Sequence, residues 1–364
     1  MIFTVGLVGV IAMILSQLDR ARFKYGLECA WMLIFAFLAL RYNFGNDYNS
    51  YYTSFNYISA KSTFAFDESL HFEKGWQLLC WIFKPIGFFG MVACLTAFEC
   101  YVYYRLIKKF VPKNYYWLSI FLYVFTPGLM LIGSSMLRNQ LAITIFLCSL
   151  KFIFERRVIL YLLMIFLAST IHSSAIILYP LILLGYRKEY KFNTVVVFII
   201  LIGFILLSYW GTHLTPIVEQ IATVSNLQDK YETYSSTTRD GITYGLGSLL
   251  QLILFAYMLF RIKYTTHNIH IICMLFIIGK YIEPFSATIP MVARLLYYFS
   301  CYAMLLYPIV LSREIELSSN RWSVLRPIML VFLVLLTFYS YYSFFQDPVW
   351  VKAYSSYQTI LFAV

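Results

Sequence analysis

Several stretches of this chain, Val195–Trp210 and Ile328–Phe345 among them, are almost wholly apolar and carry no charge. A hydrocarbon core about 30 Å thick is crossed by about 20 such residues wound as a helix. A transmembrane β-barrel would instead show segments of about ten residues alternating in polarity, and no such pattern is present. The 364 residues are 61% hydrophobic and 12% charged, with a mean hydropathy of +0.73. A soluble domain is about 45–50% apolar and about 25% charged. Seventeen acids and 28 bases cannot coat a soluble fold of this length, so lipid must be the solvent for most of its surface.

The expected fold is therefore an all-α polytopic membrane protein forming one transmembrane domain over residues 1–364. Apolar segments fall at about 2–18, 25–40, 86–104, 115–131, 138–154, 158–171, 173–185, 194–210, 244–260, 268–283, 294–311 and 324–345, which predicts about 12 helices, with 11–13 as the range. The first residues are apolar, with no basic leader and no small-residue cleavage site, and read as a first span. The stretch from Val158 to Tyr186 is long for one helix and is divided by Ser169-Thr170-Ile171-His172-Ser173-Ser174. That pattern predicts two short helices meeting at His172; a single tilted helix is the alternative. The seven cysteines lie in apolar segments without metal-ligand spacing and are expected to act as small hydrophobes.

Charge orients the bundle. Six short linkers, around Arg20, Arg105, Lys151, Arg187, Arg261 and Arg313, hold 18 of the 28 bases and only five acids. The positive-inside rule puts them in the cytoplasm. The opposite side carries equal numbers of acids and bases. The basic excess is thus a topological signal, and no nucleic-acid partner is expected. Both termini then fall outside, provided 158–186 crosses twice. Two outer loops, at 41–84 and 211–243, are long enough to carry function.

Ionisable groups at membrane depth are functional candidates by default. Arg41, Arg138, His172, Lys280, Glu283 and Arg294 all fall at outer helix ends in this topology. The densest group is Arg41-Tyr-Asn-Phe-Gly45-Asn-Asp47-Tyr48-Asn-Ser-Tyr51-Tyr52, where Gly45 permits a turn bringing Asp47 toward Arg41. Arginine grips phosphate or carboxylate through two donors, and tyrosines offer flat faces with a polar handle suited to sugars. An interfacial aromatic belt around a structural Arg–Asp pair would look similar. Glu28 and Glu99, inside spans, are expected to pair locally or stay protonated, and His267 and His270 to be structural.

The motifs Phe72-Glu73-Lys74-Gly75-Trp76-Gln77, Met136-Leu137-Arg138-Asn139-Gln140 and Ile171-His172-Ser173-Ser174 follow the Arg41/Asp47 segment in order. They are succeeded by Arg294-Leu-Leu-Tyr297-Tyr298 and by Tyr354-Ser-Ser-Tyr357 near the end. This ordered set, from about residue 41 onward, resembles the EpsG family, which is related in role to Wzy-type O-antigen polymerases. One departure is Asn139 before Gln140, where the family often has Gln directly after Arg.

The resemblance implies a glycosyltransferase that polymerises undecaprenyl-diphosphate-linked oligosaccharide units on the outer face of a bacterial plasma membrane. The partners implied are the lipid-linked donor and acceptor, the bilayer and a Wzz-type chain-length regulator. His172, Asp47 and Glu73 are the candidate catalytic groups, since an acceptor hydroxyl needs a base and His has a suitable unperturbed pKa near 6.5. Arg41, Arg138 and Arg294, with Tyr48, Tyr52 and Tyr297, are the candidate substrate-binding groups. A diphosphate leaving group needs charge stabilisation, and no cluster of outer carboxylates suggests an octahedral metal site, so neither metal nor cofactor is expected. A lipid-linked glycan flippase or an O-antigen ligase-type transferase are the alternatives. A flippase should carry polar groups along a path toward the cytoplasmic half, whereas a ligase differs mainly in its acceptor.

Overall fold

The computed structural model describes residues 2–18, 24–70, 72–213, 246–286, 290–312, 321–354 and 357–363. Five described helices are long and apolar enough to cross a membrane: Lys84–Phe110, Leu137–Phe154, His267–Ser286, Val292–Leu311 and Val324–Phe344. Six shorter apolar helices accompany them. The architecture is that of an all-α membrane protein. Its single sheet among the described residues pairs β1 (Arg41–Tyr42) antiparallel with β2 (Gln358–Thr359). The outer loop expected at 211–243 lies outside the described residues beyond His213. All seven cysteines are free.

The chain packs as two compact units, residues 1–186 with 337–364, and residues 187–336. In the first unit, α1 (Ile2–Leu18) and α2 (Gly26–Ala39) lead through β1 to α3 (Tyr48–Ala60) and α4 (Lys74–Ile82). The loop expected at 41–84 thus contains two helices and is about half helical. The phase of α3 explains this, because Tyr48, Tyr51, Phe55 and Ile58 recur at helical spacing and are its buried stripe. Then come α5 (Gly87–Phe110), α6 (Tyr116–Phe125), α7 (Leu131–Ser135), α8 (Leu137–Phe154) and α9 (Val158–Ile171).

The expected helix at 115–131 stops at Phe125, since Pro127 disfavours helical backbone at Thr126, whose ψ is 107°. The stretch at 158–186 is a hairpin. Beyond His172 the chain turns back as a 3₁₀ helix, Ser173–Tyr186. Tyr161 Oη donates to Leu178 O at 2.6 Å, and Arg156 Nε to Gly185 O at 2.8 Å. These pairs require the two arms to run antiparallel. At 2.0 Å per residue, the 14-residue 3₁₀ arm reaches about 28 Å, against about 21 Å for an α-helix of equal length.

The C-terminal segment ties back onto the Arg41 turn. Gly45 N–H donates to Ala353 O at 3.1 Å, Tyr354 Oη to Leu131 O and Tyr357 Oη to Phe37 O, both at 2.6 Å. Phe44 sits edge-on to both tyrosine rings, at 4.8 and 5.6 Å.

The second unit contains helices Thr194–His213, Leu246–Ile262, His267–Ser286, Pro290–Ser300 and Ala303–Leu311, together with the first part of Arg321–Phe344. The span Val292–Leu311 is helical but for a turn at Cys301-Tyr302, within the segment expected at 294–311. Arg261, expected in a basic linker, is instead a buried residue in the last turn of its helix. It donates to Val310 O at 2.9 Å and Ser312 O at 3.5 Å, satisfying carbonyls left over at the end of Ala303–Leu311. His270 holds Ile262 O at 3.0 Å.

Candidate active site

Three of the candidate residues meet at one end of the first unit. Glu73 immediately precedes the first turn of α4, Arg138 lies in the first turn of α8, and His172 is the hairpin tip. The local sequence explains their approach. A Cβ on Gly75 would lie 2.6 Å from Thr170 O and 2.5 Å from its Oγ1, so only glycine lets α4 lie this close against the end of α9. That contact sets Glu73, two residues before Gly75, beside His172, two residues after Thr170. Gln77 steadies the preceding loop, its Nε2 donating to Phe72 O and Asp67 O, both at 3.0 Å.

The Glu73 carboxylate gathers donors from two elements. Its Oε1 accepts the Ser173 backbone N–H at 2.9 Å and faces His172 Nδ1 at 3.3 Å, while Oε2 forms an ion pair with the Arg138 guanidinium. Ser173 opens the 3₁₀ arm, so the carboxylate also sits where a helix N-terminus favours negative charge. Burial raises the Glu73 carboxyl. The His172 contact, the Arg138 charge and the Ser173 N–H outweigh it and bring the pKa down to about 2. Glu73 is thus held as a carboxylate at physiological pH.

An ionised carboxylate opposite Nδ1 selects the imidazole tautomer that carries its hydrogen there, leaving Nε2 as an acceptor. His172 Nε2 is buried and has no hydrogen-bond partner. The ring is not needed to satisfy the backbone at the hairpin break, because His172 N–H donates to Ala168 O at 2.9 Å and His172 O accepts from Ala175 N–H at 3.0 Å.

Arg138 is held on several sides. Its guanidinium lies 4.4 Å from the Phe72 ring centre and 5.9 Å from that of Tyr51, whose hydroxyl also bonds to it. Its Nε is buried without a partner. Tyr51 packs edge-on against Trp76 at 5.4 Å. Phe72 and Tyr51 thus complete the cluster, although the candidate binding tyrosines from sequence are Tyr48 and Tyr52. The buried stripe of α3 is the signal that selects Tyr51.

The remaining candidates are placed differently. Arg41 is 2% exposed, and its guanidinium donates to Leu38 O, to Ser134 O at 3.0 Å and to Thr96 Oγ1 at 3.3 Å. These acceptors belong to the protein, so Arg41 braces α7 from within, and its Nε is buried without a partner. Asp47, half-buried at the start of α3, donates its backbone N–H to Ser135 Oγ at 3.2 Å. Gly45, with φ of +110°, brings the turn so close that a Cβ would lie 2.8 Å from Ser135 Cβ. The Arg41–Asp47 turn therefore seats on Ser134-Ser135, immediately before Arg138. Tyr48 is buried, with its hydroxyl donating to Arg41 O at 3.4 Å, and Tyr52 packs on Phe88 and Phe89.

Arg294 and Tyr297 belong to the second unit, half-buried and three residues apart on one face of Pro290–Ser300. Lys280 and Glu283, in the same unit, pair at 2.7 Å. Gln140 reaches inward to Glu99, as does the Tyr123 hydroxyl, each at 2.8 Å. This places Gln140 in a buried polar network and leaves Arg138 to face Glu73. Glu28 pairs with Lys108 at 2.7 Å. Among the described residues, no group of three or more His, Cys, Asp or Glu is placed to hold a metal ion.

The fold and the cluster define a multipass helical membrane protein with an imidazole, a carboxylate and a guanidinium assembled at one end of its helices. The chain belongs to the EpsG family, whose model matches residues 26–359 and which comprises Wzy-type polysaccharide polymerase-like proteins. The match runs from the first residue of α2 into β2, so it contains the whole cluster. Neither the curated proteins nor the solved structures contain a match to the chain.

Proposed function

We propose that this polysaccharide polymerase-like membrane protein joins undecaprenyl-diphosphate-linked oligosaccharide units on the outer face of the bacterial plasma membrane. The observation that carries the reading is the Glu73–His172 contact with Nε2 left unpaired. An unsatisfied buried acceptor costs about 1–3 kcal/mol, and the hydroxyl of an arriving acceptor sugar would satisfy it.

In the proposed step the acceptor oxygen attacks the anomeric carbon of the donor glycan. The new glycosidic C–O bond forms as the bond from that carbon to the diphosphate oxygen breaks. The hydroxyl proton passes to His172 Nε2, and the resulting imidazolium is stabilised by the Glu73 carboxylate. Glu73 is then a positioning residue, and Arg138 fixes it in place. Arg138 Nε is the proposed donor to the departing diphosphate, where negative charge develops; Arg294, in the second unit, is a separate candidate for binding phosphate. The family match and the helix-end location of the cluster support this reading. A Wzz-type chain-length regulator is the proposed partner.

Complementing a strain that lacks the gene is the test. Wild-type protein should restore a polysaccharide ladder on a gel, whereas the empty strain makes single-repeat product; a full ladder without the protein would refute the reading. Arg138→Ala should abolish the ladder at normal expression. A cysteine introduced at position 47 should label from outside the cell, since the charge asymmetry puts that turn on the outer side.

A further inference from the structure

The far end of α8 carries a feature that the proposed reaction does not use. The last turns of α5 and α8 flank an open cleft of about 440 Å³. Arg105, Lys108, Lys109 and Lys151 line it, and no acid does. Phe110 and Phe154 meet edge-on inside it at 6.0 Å, with Lys109 Nζ 5.1 and 5.6 Å from their ring centres. Further along the two helices its walls are apolar, with Leu106 and Leu147 facing the same space.

Cations at helix C-termini are ordinary, because they complement the helix dipole. The dipole explains the bases but not an apolar slot between them. Two of the four cations already have carboxylate partners: Lys108 lies 2.7 Å from Glu28, and Lys151 lies 3.8 Å from Glu155. Arg105 and Lys109 have no carboxylate partner among the described residues. Both helices are long and apolar enough to cross a bilayer, so their basic ends fall at headgroup level.

We propose that this slot binds one anionic phospholipid, its phosphate on Arg105 and Lys109 and its acyl chain between α5 and α8. Basic pockets between membrane helices suit such headgroups. A zwitterionic lipid would bring its own cation against the rim, and an apolar peptide would leave Arg105 and Lys109 uncompensated. The slot is distinct from the Glu73–Arg138–His172 cluster, since Arg138 and Lys151 lie about 20 Å apart along α8.

Native mass spectrometry of the full chain, released from micelles doped with phosphatidylglycerol or phosphatidylcholine, tests this. One phosphatidylglycerol per chain should be retained in preference to phosphatidylcholine. The double variant Arg105→Gln/Lys109→Gln should bind it about thirtyfold more weakly, with an unchanged melting temperature. The control Arg187→Gln/Lys188→Gln, at another exposed basic site, should bind as wild type. Equal retention by the first variant, equal retention of phosphatidylcholine, or an equal loss in the control would overturn the proposal. Tight binding of glycerol phosphate without a tail would also overturn it, by making the site one for free phosphate. The readout is lipid retention, so it stands or falls separately from polymer formation.

Discussion

Arg41 and Arg138 are the same residue type, drawn from neighbouring motifs of one unit, yet their surroundings give them different work. Arg41 is sealed among two backbone carbonyls and a threonine hydroxyl. Three hydrogen bonds tie the end of α2 to α5 and α7, and Nε is buried without a partner. Arg138 faces a carboxylate, and that carboxylate faces an imidazole with an open nitrogen. The difference lies in the partner. Neutral acceptors fix a cation for structure, whereas an ionised partner passes its influence on to a third group that can move a proton.

The largest effect should come from breaking the Arg41 socket. Arg41→Ala leaves buried acceptors unpaired and removes a cation near Glu99, so it should cost about 3–5 kcal/mol of stability, read as a lower melting temperature in detergent. A variant that melts like wild type yet makes no polymer would erase the distinction between the two arginines.

Glu73→Gln sharpens the other side. The folded Glu73 carboxyl lies near 2 against its ordinary 4.5, so its stabilisation is fully present above pH 4.5 and is lost as pH falls through about 2. Wild type should lose about 3 kcal/mol across that window, a loss the variant lacks. Parallel acid-melting curves would show that Glu73 is not held as described. Gly75→Ala pushes α4 off Thr170 and should cost about 2 kcal/mol, with polymer lost because Glu73 withdraws from His172. Tyr51→Phe removes only the hydroxyl on Arg138 and is expected to cost about 1 kcal/mol, with a shortened ladder.

Hydropathy made most helix limits legible, because lipid-facing segments must be apolar throughout, and the hairpin could be read from the polar break at His172. The break at Pro127 follows from a local rule that the hydropathy profile passes over. The helices hidden in 41–84 show only as the spacing of Tyr48, Tyr51, Phe55 and Ile58. Glu73, Arg138 and His172 stand out as polar residues at helix ends and through the family motifs. Their convergence is tertiary: it depends on Gly75 meeting Thr170, a contact between residues far apart in the chain. The burial of Arg41 and Arg261 was illegible for the same reason, since a sequence does not say which carbonyls a guanidinium will find.

The central claim is that His172, oriented by Glu73, takes the acceptor proton. The most direct measurement is the polysaccharide ladder of a His172→Ala strain alongside the melting temperature of the purified variant. The expected result is polymer reduced by about 10²–10⁴-fold in a protein that folds at wild-type level and melts within a few degrees of it. A full ladder from that strain would contradict the account.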